Sequence, residues 1–170
     1  ILEVGYGLKA VQIRLGTARL THCMRWLGMA KRSLEISDEY VSEREAFGRP
    51  INKFQVLRHR VAQLSSEIES IKYFVYHCCR LHADGEYAVK ECSMAKLLST
   101  ELSDRAMYQC LQFFGGYGYM EEFKMARMFR DSRIGTIGGG SSEIMREIIA
   151  KMVIDDKSYK PAGKAPAPSQ

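Results

Sequence analysis

The chain has 170 residues, 46% hydrophobic and 26% charged, a size and composition that fit one globular domain with its own core and exclude disorder and a fibrous architecture. The formal charge of +5 is carried by Lys and Arg spread at helical spacing among Asp and Glu, with no run of five basic residues, so nucleic-acid binding is excluded as a function class. No apolar stretch of about 18 residues and no basic-apolar-small signal pattern is present, so a soluble protein without membrane insertion is expected.

Residues 9 to 46 read as a first helix, with Leu20, Cys23, Met24, Leu27, Ala30 and Leu34 at spacings of three and four on one face. The run Phe47-Gly48-Arg49-Pro50 stops it, and a turn is expected at about 47 to 52. The clearest periodicity follows. Phe54, Leu57, Val61, Leu64, Ile68, Ile71 and Val75 alternate steps of three and four, a bundle-type seam that predicts a helix of about 30 residues ending near Ala83-Asp84-Gly85.

A third helix is predicted from Val89 to Phe114, with Met94, Leu98, Leu102, Ala106 and Cys110 as its seam, ending at Gly115-Gly116-Tyr117-Gly118-Tyr119. A short helical piece around Phe123 to Arg130 precedes a loop over 135–140, and a last helix runs from about Ser142 to Asp155. Ser141 or Ser142 is its N-cap, and Glu143 in its first turn complements the helix dipole. Four substantial helices with short connections, and no period-2 segment long enough for a strand, predict an all-α, antiparallel up-and-down four-helix bundle over 1–158. The segment 159–170 holds three of the four prolines and reads as a flexible Pro/Ala-rich tail.

The five cysteines, at 23, 78, 79, 92 and 110, are odd in number with no CxxC pair. Free thiols in a reducing compartment are expected, with Cys78 and Cys79 as core packing. His22, His59, His77 and His82 show no metal-ligand spacing, so no metal is expected. The first residue is Ile rather than Met, as for a chain that begins inside a longer polypeptide.

Three stretches exceed what bundle packing needs. In Arg44-Glu45-Ala46-Phe47-Gly48-Arg49-Pro50-Ile51, with Gln55 beyond, an arginine at a sharp helix end either reaches a phosphate or carboxylate, or simply complements the dipole. In Gln112-Phe113-Phe114-Gly115-Gly116-Tyr117-Gly118-Tyr119, three glycines in four positions are more than a helix stop requires, and allow close approach of something flat or anionic. In Arg130 to Ile144, a glycine-rich segment leads straight into a helix start, a ready site for an anion or a polar ring edge.

In this order, "REAFGRPI…Q", "MAKLLSTE", "QFFGGYGYMEEF" and "RDSRIGTIGGGSSEIMREIIA" resemble the C-terminal helical domain of the acyl-CoA dehydrogenases, over residues 14 to 152. The stretch "RLTHCMRWLGMA" resembles the version of the first helix seen in the subgroup related to the long multidomain members. The resemblance implies FAD as cofactor, an acyl-CoA thioester as substrate, an electron-transfer flavoprotein as electron acceptor, and a homo-oligomer, dimer or tetramer. Arg44, Phe47, Ile51 and Gln55 match residues that approach the FAD of the neighbouring subunit, as do Gln112, Gly115 and Gly116. Ser141 and Glu143 match contacts from within the subunit. Arg19 matches a substrate-side arginine.

The family's catalytic base is a Glu, usually directly before the Gly-Thr/Ser of the last loop, where this chain has Gly139. In a minority it precedes the family arginine on the first helix, where this chain has Ala18. Neither position supplies a base, so the catalytic residue is unassigned. Glu143 lies too far along its helix, Asp131 is expected to pair with its neighbours Arg130 and Arg133, and Glu121 and Glu122 read as solvent-facing. A base from another domain is one alternative. A flavin-fold relative without dehydrogenase activity and a non-catalytic helical oligomerisation domain are others, and the isolated 170-residue chain is expected to be inactive. The expected setting is a bacterial cytoplasm or a mitochondrial matrix.

Overall fold

A computed structural model describes residues 5–159. The expected tail, save Tyr159, lies outside the described residues. Six helices carry the fold: α1 (Gly7–Glu43), α2 (Gln55–Ala83), α3 (Val89–Phe114), α4 (Gly116–Tyr119), α5 (Lys124–Ser132) and α6 (Ser142–Val153). Short 3-10 turns at Ile51–Lys53 and Arg133–Thr136 lead into α2 and away from α5. The architecture is the all-α bundle expected, and no helix among the described residues is long and apolar enough to cross a membrane.

Chain direction follows from cross-helix pairs. Tyr40 near the end of α1 stacks on Phe114 at the end of α3, with ring centroids 4.1 Å apart, so α1 and α3 run the same way. Cys78 near the end of α2 meets Cys92 near the start of α3, and Glu67 in mid-α2 takes a hydrogen bond from Arg105 further along α3 at 2.7 Å, so α2 runs against both. Burial follows the seam on α2, where Leu64, Ile68 and Val75 are buried and the flanking seam positions are half-buried.

α3 is the central helix, packed against α1, α2, α5 and α6. Its expected seam is corrected: Leu98 is exposed, whereas Ser93, Ala95, Ser99, Thr100, Ser103 and Met107 are buried beside Leu102, Ala106 and Cys110. A helix enclosed by neighbours on several sides has no single apolar stripe. Small residues let those neighbours come close, and two of the hydroxyls bond back inside the helix, Ser99 Oγ and Thr100 Oγ1 donating to Lys96 O at 3.3 and 2.9 Å, whereas Ser93 Oγ and Ser103 Oγ have no partner among the described residues. All five cysteines are free thiols. Burial pushes the Cys23 thiol up to about 12, so it packs as an apolar group.

The first helix stops at Glu43, three residues before the expected end, because Glu45–Ala46 and Arg49–Pro50 pair as a two-residue antiparallel hairpin. Its loop is Phe47-Gly48, both at positive φ, 52° and 76°, the geometry that lets a two-residue turn follow the strand twist. Glycine accepts this freely. A phenylalanine there is held against its preference.

Candidate functional site

The ends of α1 and α3 converge around a cavity of about 540 Å³, lined by Tyr40, Arg44, Ile51, Gln112, Gly115, Gly116 and Tyr117. Five residues of two separate sequence stretches are thereby brought together: Arg44 and Ile51 from the α1 exit, and Gln112, Gly115 and Gly116 from the α3 end. The Arg44 guanidinium stands 6.0 Å from the Tyr117 ring centroid and makes no ion pair among the described residues. Phe47 and Gln55 are not in the cavity wall. Phe47 is 94% exposed, edge-on to Phe54 at 6.1 Å, and Gln55 opens α2 on the surface.

The three glycines divide by role. Gly115 takes φ +58° and ends α3, while a Cβ on either Gly115 or Gly116 would meet nothing within 4 Å, so the backbone there is open. Gly118 is structural, since a Cβ would sit 2.5 Å from the Leu111 carbonyl oxygen. An unpaired arginine, an exposed glutamine and bare backbone along one cavity suit a flat, anionic group such as part of a dinucleotide.

At the other glycine segment, Ser141 is the N-cap of α6, its Oγ accepting from Ile144 N at 3.4 Å. Glu143 sits in the first turn, where backbone N–H donation and Ser141 hold its carboxyl below the usual carboxylate range. Ser141 and Glu143 line a second concavity of about 560 Å³ with Asp104, Arg133, Thr136 and Arg146. Charges of both signs wall it: Arg146 bonds Glu101, and Arg133 lies 4.0 Å from Asp104.

The reverse side of the same loop is gripped from the bundle. Lys96, without solvent exposure, donates to the Gly140 carbonyl at 2.6 Å, and Arg19 Nε donates to the Gly139 carbonyl at 3.4 Å. Burial lowers the pKa of both cations. The imidazole of His22 lies against Gly139, and the indole of Trp26 against Gly135, where a Cβ would fall 3.1 Å from the ring. Gly139 and Gly140 hold φ of +71° and +111°, and a Cβ on Gly140 would lie 2.5 Å from Met145 Cε. Ala18 lies one turn before His22 on α1.

Sequence reasoning missed Lys96, His22 and Trp26 as parts of this region. Lys96 stood inside "MAKLLSTE" among small and apolar residues, the one available signal of burial. Asp131 is corrected: it pairs with Arg127 at 3.4 Å, while Arg130 pairs with Glu121 at 2.7 Å. Positions four apart share a helix face and adjacent ones do not. No group of His, Cys, Asp and Glu able to hold a metal is present among the described residues.

Residues 5–154 match the family model described as acyl-CoA dehydrogenase, C-terminal domain. The chain belongs to that family. It is 34% identical over 151 residues to the short/branched chain specific acyl-CoA dehydrogenase, mitochondrial, of Bos taurus, covering 89% of this chain and 35% of that protein. It is 33% identical to the caffeyl-CoA reductase-Etf complex subunit CarC of Acetobacterium woodii, covering 89% of this chain and 40% of that protein. The crystal structure of acyl-CoA dehydrogenase from Geobacillus kaustophilus superposes with a TM-score of 0.87 at 34% identity, over 89% of this chain and 40% of that chain. The chain thus spans well under half the length of these acyl-CoA dehydrogenase relatives. Mitochondrial and bacterial proteins are both among them.

Proposed function

We propose that this chain is the C-terminal part of an FAD-dependent acyl-CoA dehydrogenase, which removes the α- and β-hydrogens of an acyl-CoA thioester. The observation that carries the reading is the single cavity walled by Arg44, Ile51, Gln112, Gly115 and Gly116, residues of two stretches far apart in sequence that the family resemblance assigns to one cofactor. FAD, when bound, supplies the acceptor for the β-hydrogen as hydride.

The chain's own residues bind and orient. Arg44 offers a bidentate donor to a diphosphate, and the bare backbone at Gly115 and Gly116 admits close approach. The α6 N-terminus with Ser141 and Glu143 presents polar groups on the second concavity. The two concavities share no lining residue, which suits two cofactor contacts made in different subunits and hence a homo-oligomer. An electron-transfer flavoprotein is the proposed acceptor, in keeping with the name of the Acetobacterium relative. The mitochondrial and bacterial relatives support a matrix or cytoplasmic setting.

The test uses the full-length protein, titrated anaerobically with short, long, branched and aromatic acyl-CoA thioesters. Loss of the flavin band near 450 nm with at least one of them is expected. A flavin that none of them bleaches defeats the proposal.

A further inference from the structure

His22 stands between the two positions at which a carboxylate is missing. It follows Ala18 by four residues on α1 and so shares its face. Across the bundle, a Cβ built on Gly139 would stand 3.3 Å from both Cδ2 and Nε2 of the His22 ring. A side chain leaving the backbone at 139 would therefore head into the imidazole. His22 Nδ1 is itself buried and has no hydrogen-bond partner among the described residues, a state it shares with Trp26 Nε1 one turn further along α1, so what singles the ring out is its place against Gly139.

The charged groups around the ring are cationic. Arg19 and Arg25 belong to its own helix and Lys96 comes from α3, while the loop from Ile137 to Ser142 carries no ionisable side chain. Burial first, then Arg25 and Lys96, push the imidazole pKa down, so near neutral pH it is uncharged and keeps a free lone pair. The same cations favour an anion formed beside the ring.

Resting on the dehydrogenase reading above, we propose that His22 is the proton acceptor of the reaction, its imidazole taking the α-proton of an acyl-CoA thioester held over the Gly138 to Gly140 loop. The Cα–H bond breaks, the proton joins an imidazole nitrogen, and the electron pair stays on the substrate as the thioester enolate. The negative charge forms within the field of Arg19 and Lys96, and this half of the reaction consumes no oxidant. It also accounts for a chain that has Ala18 and Gly139 together. A carboxylate at 139 would collide with the ring that replaces it.

The experiment compares the full-length wild type with His22→Gln and His22→Ala, following α-deuterium uptake by the acyl-CoA panel in D2O and single-turnover flavin bleaching. In variants that keep the wild-type circular dichroism and thioester affinity, both rates are expected to fall by about 10²–10⁴-fold, with added imidazole restoring the His22→Ala protein. In wild type, the His22 imidazole resonance is expected to change its titration when thioester saturates the protein. Folded variants that exchange and bleach at the wild-type rate overturn this assignment and leave the dehydrogenase reading standing. A wild type that neither exchanges nor bleaches overturns both. If neither variant folds, the resonance decides, and a His22 signal unmoved by saturating thioester overturns the assignment.

Discussion

Lys96 reaches the carbonyl oxygen of Gly140 at 2.6 Å from a position with no solvent exposure. The contact ties the middle of α3 to the loop that starts α6, and it gives a buried ammonium a charge-assisted partner. Lys96→Met preserves length and apolar stem but leaves the carbonyl unsatisfied. A loss of about 1–3 kcal/mol in unfolding free energy is expected, the cost of an orphaned buried acceptor, measured by urea titration. An unchanged midpoint would mean that water replaces the ammonium and that the loop is not anchored from α3.

Replacing Gly139 by Glu restores the family's usual carboxylate on paper only. At φ +71°, with His22 in the path of the Cβ, an L-residue meets both backbone strain of about 1–2 kcal/mol and the imidazole ring. The expected result is a destabilised protein with no gain in flavin bleaching. Because ring and side chain compete for one space, the His22→Ala background should recover part of the lost stability, a non-additivity readable from a double-mutant cycle. Strictly additive losses would place the two residues out of contact.

Arg44→Ala separates cofactor binding from folding. The side chain is exposed, stands 6.0 Å from the Tyr117 ring and makes no ion pair among the described residues, so its removal should change stability by less than about 0.5 kcal/mol. In the full-length protein it should nevertheless lower the flavin retained through gel filtration, read as the ratio of absorbance near 450 nm to that at 280 nm. A full complement of flavin in the variant removes Arg44 from the cofactor site.

The bundle was legible because burial leaves a periodic trace. On α2 one face is buried, and the alternating steps from Phe54 to Val75 located both the helix and its core side. On α3 the same reasoning picked out Leu98, which is exposed, because a central helix is enclosed on several faces and its stripe of small residues carries little hydropathy contrast. The Phe47-Gly48 hairpin was hidden by an aromatic at a positive-φ position where asparagine, aspartate or glycine would have announced it. Of the site, the motifs named the residues around the 540 Å³ cavity. The pairing of His22 with Gly139 spans 117 positions and left no local pattern to read. Resemblance could show that two carboxylates were absent, and only the fold could show what stands in that space.

The acid side of the stability profile tests the His22 environment without cofactor or substrate. Burial together with Arg25 and Lys96 holds the folded-state pKa below the ordinary 6.5, so between that lowered value and 6.5 the unfolded chain binds more protons than the folded one. Stability must therefore rise with pH across this window and be lost as pH falls through it. The urea midpoint is expected to increase from pH 5 to 7, and His22→Gln, which cannot titrate, should flatten the rise. Lys96, whose pKa burial lowers from 10.5, acts with the same sign at alkaline pH, so the two contributions fall in separate windows. An equal slope in His22→Gln and wild type would show that folding does not lower the imidazole's proton affinity.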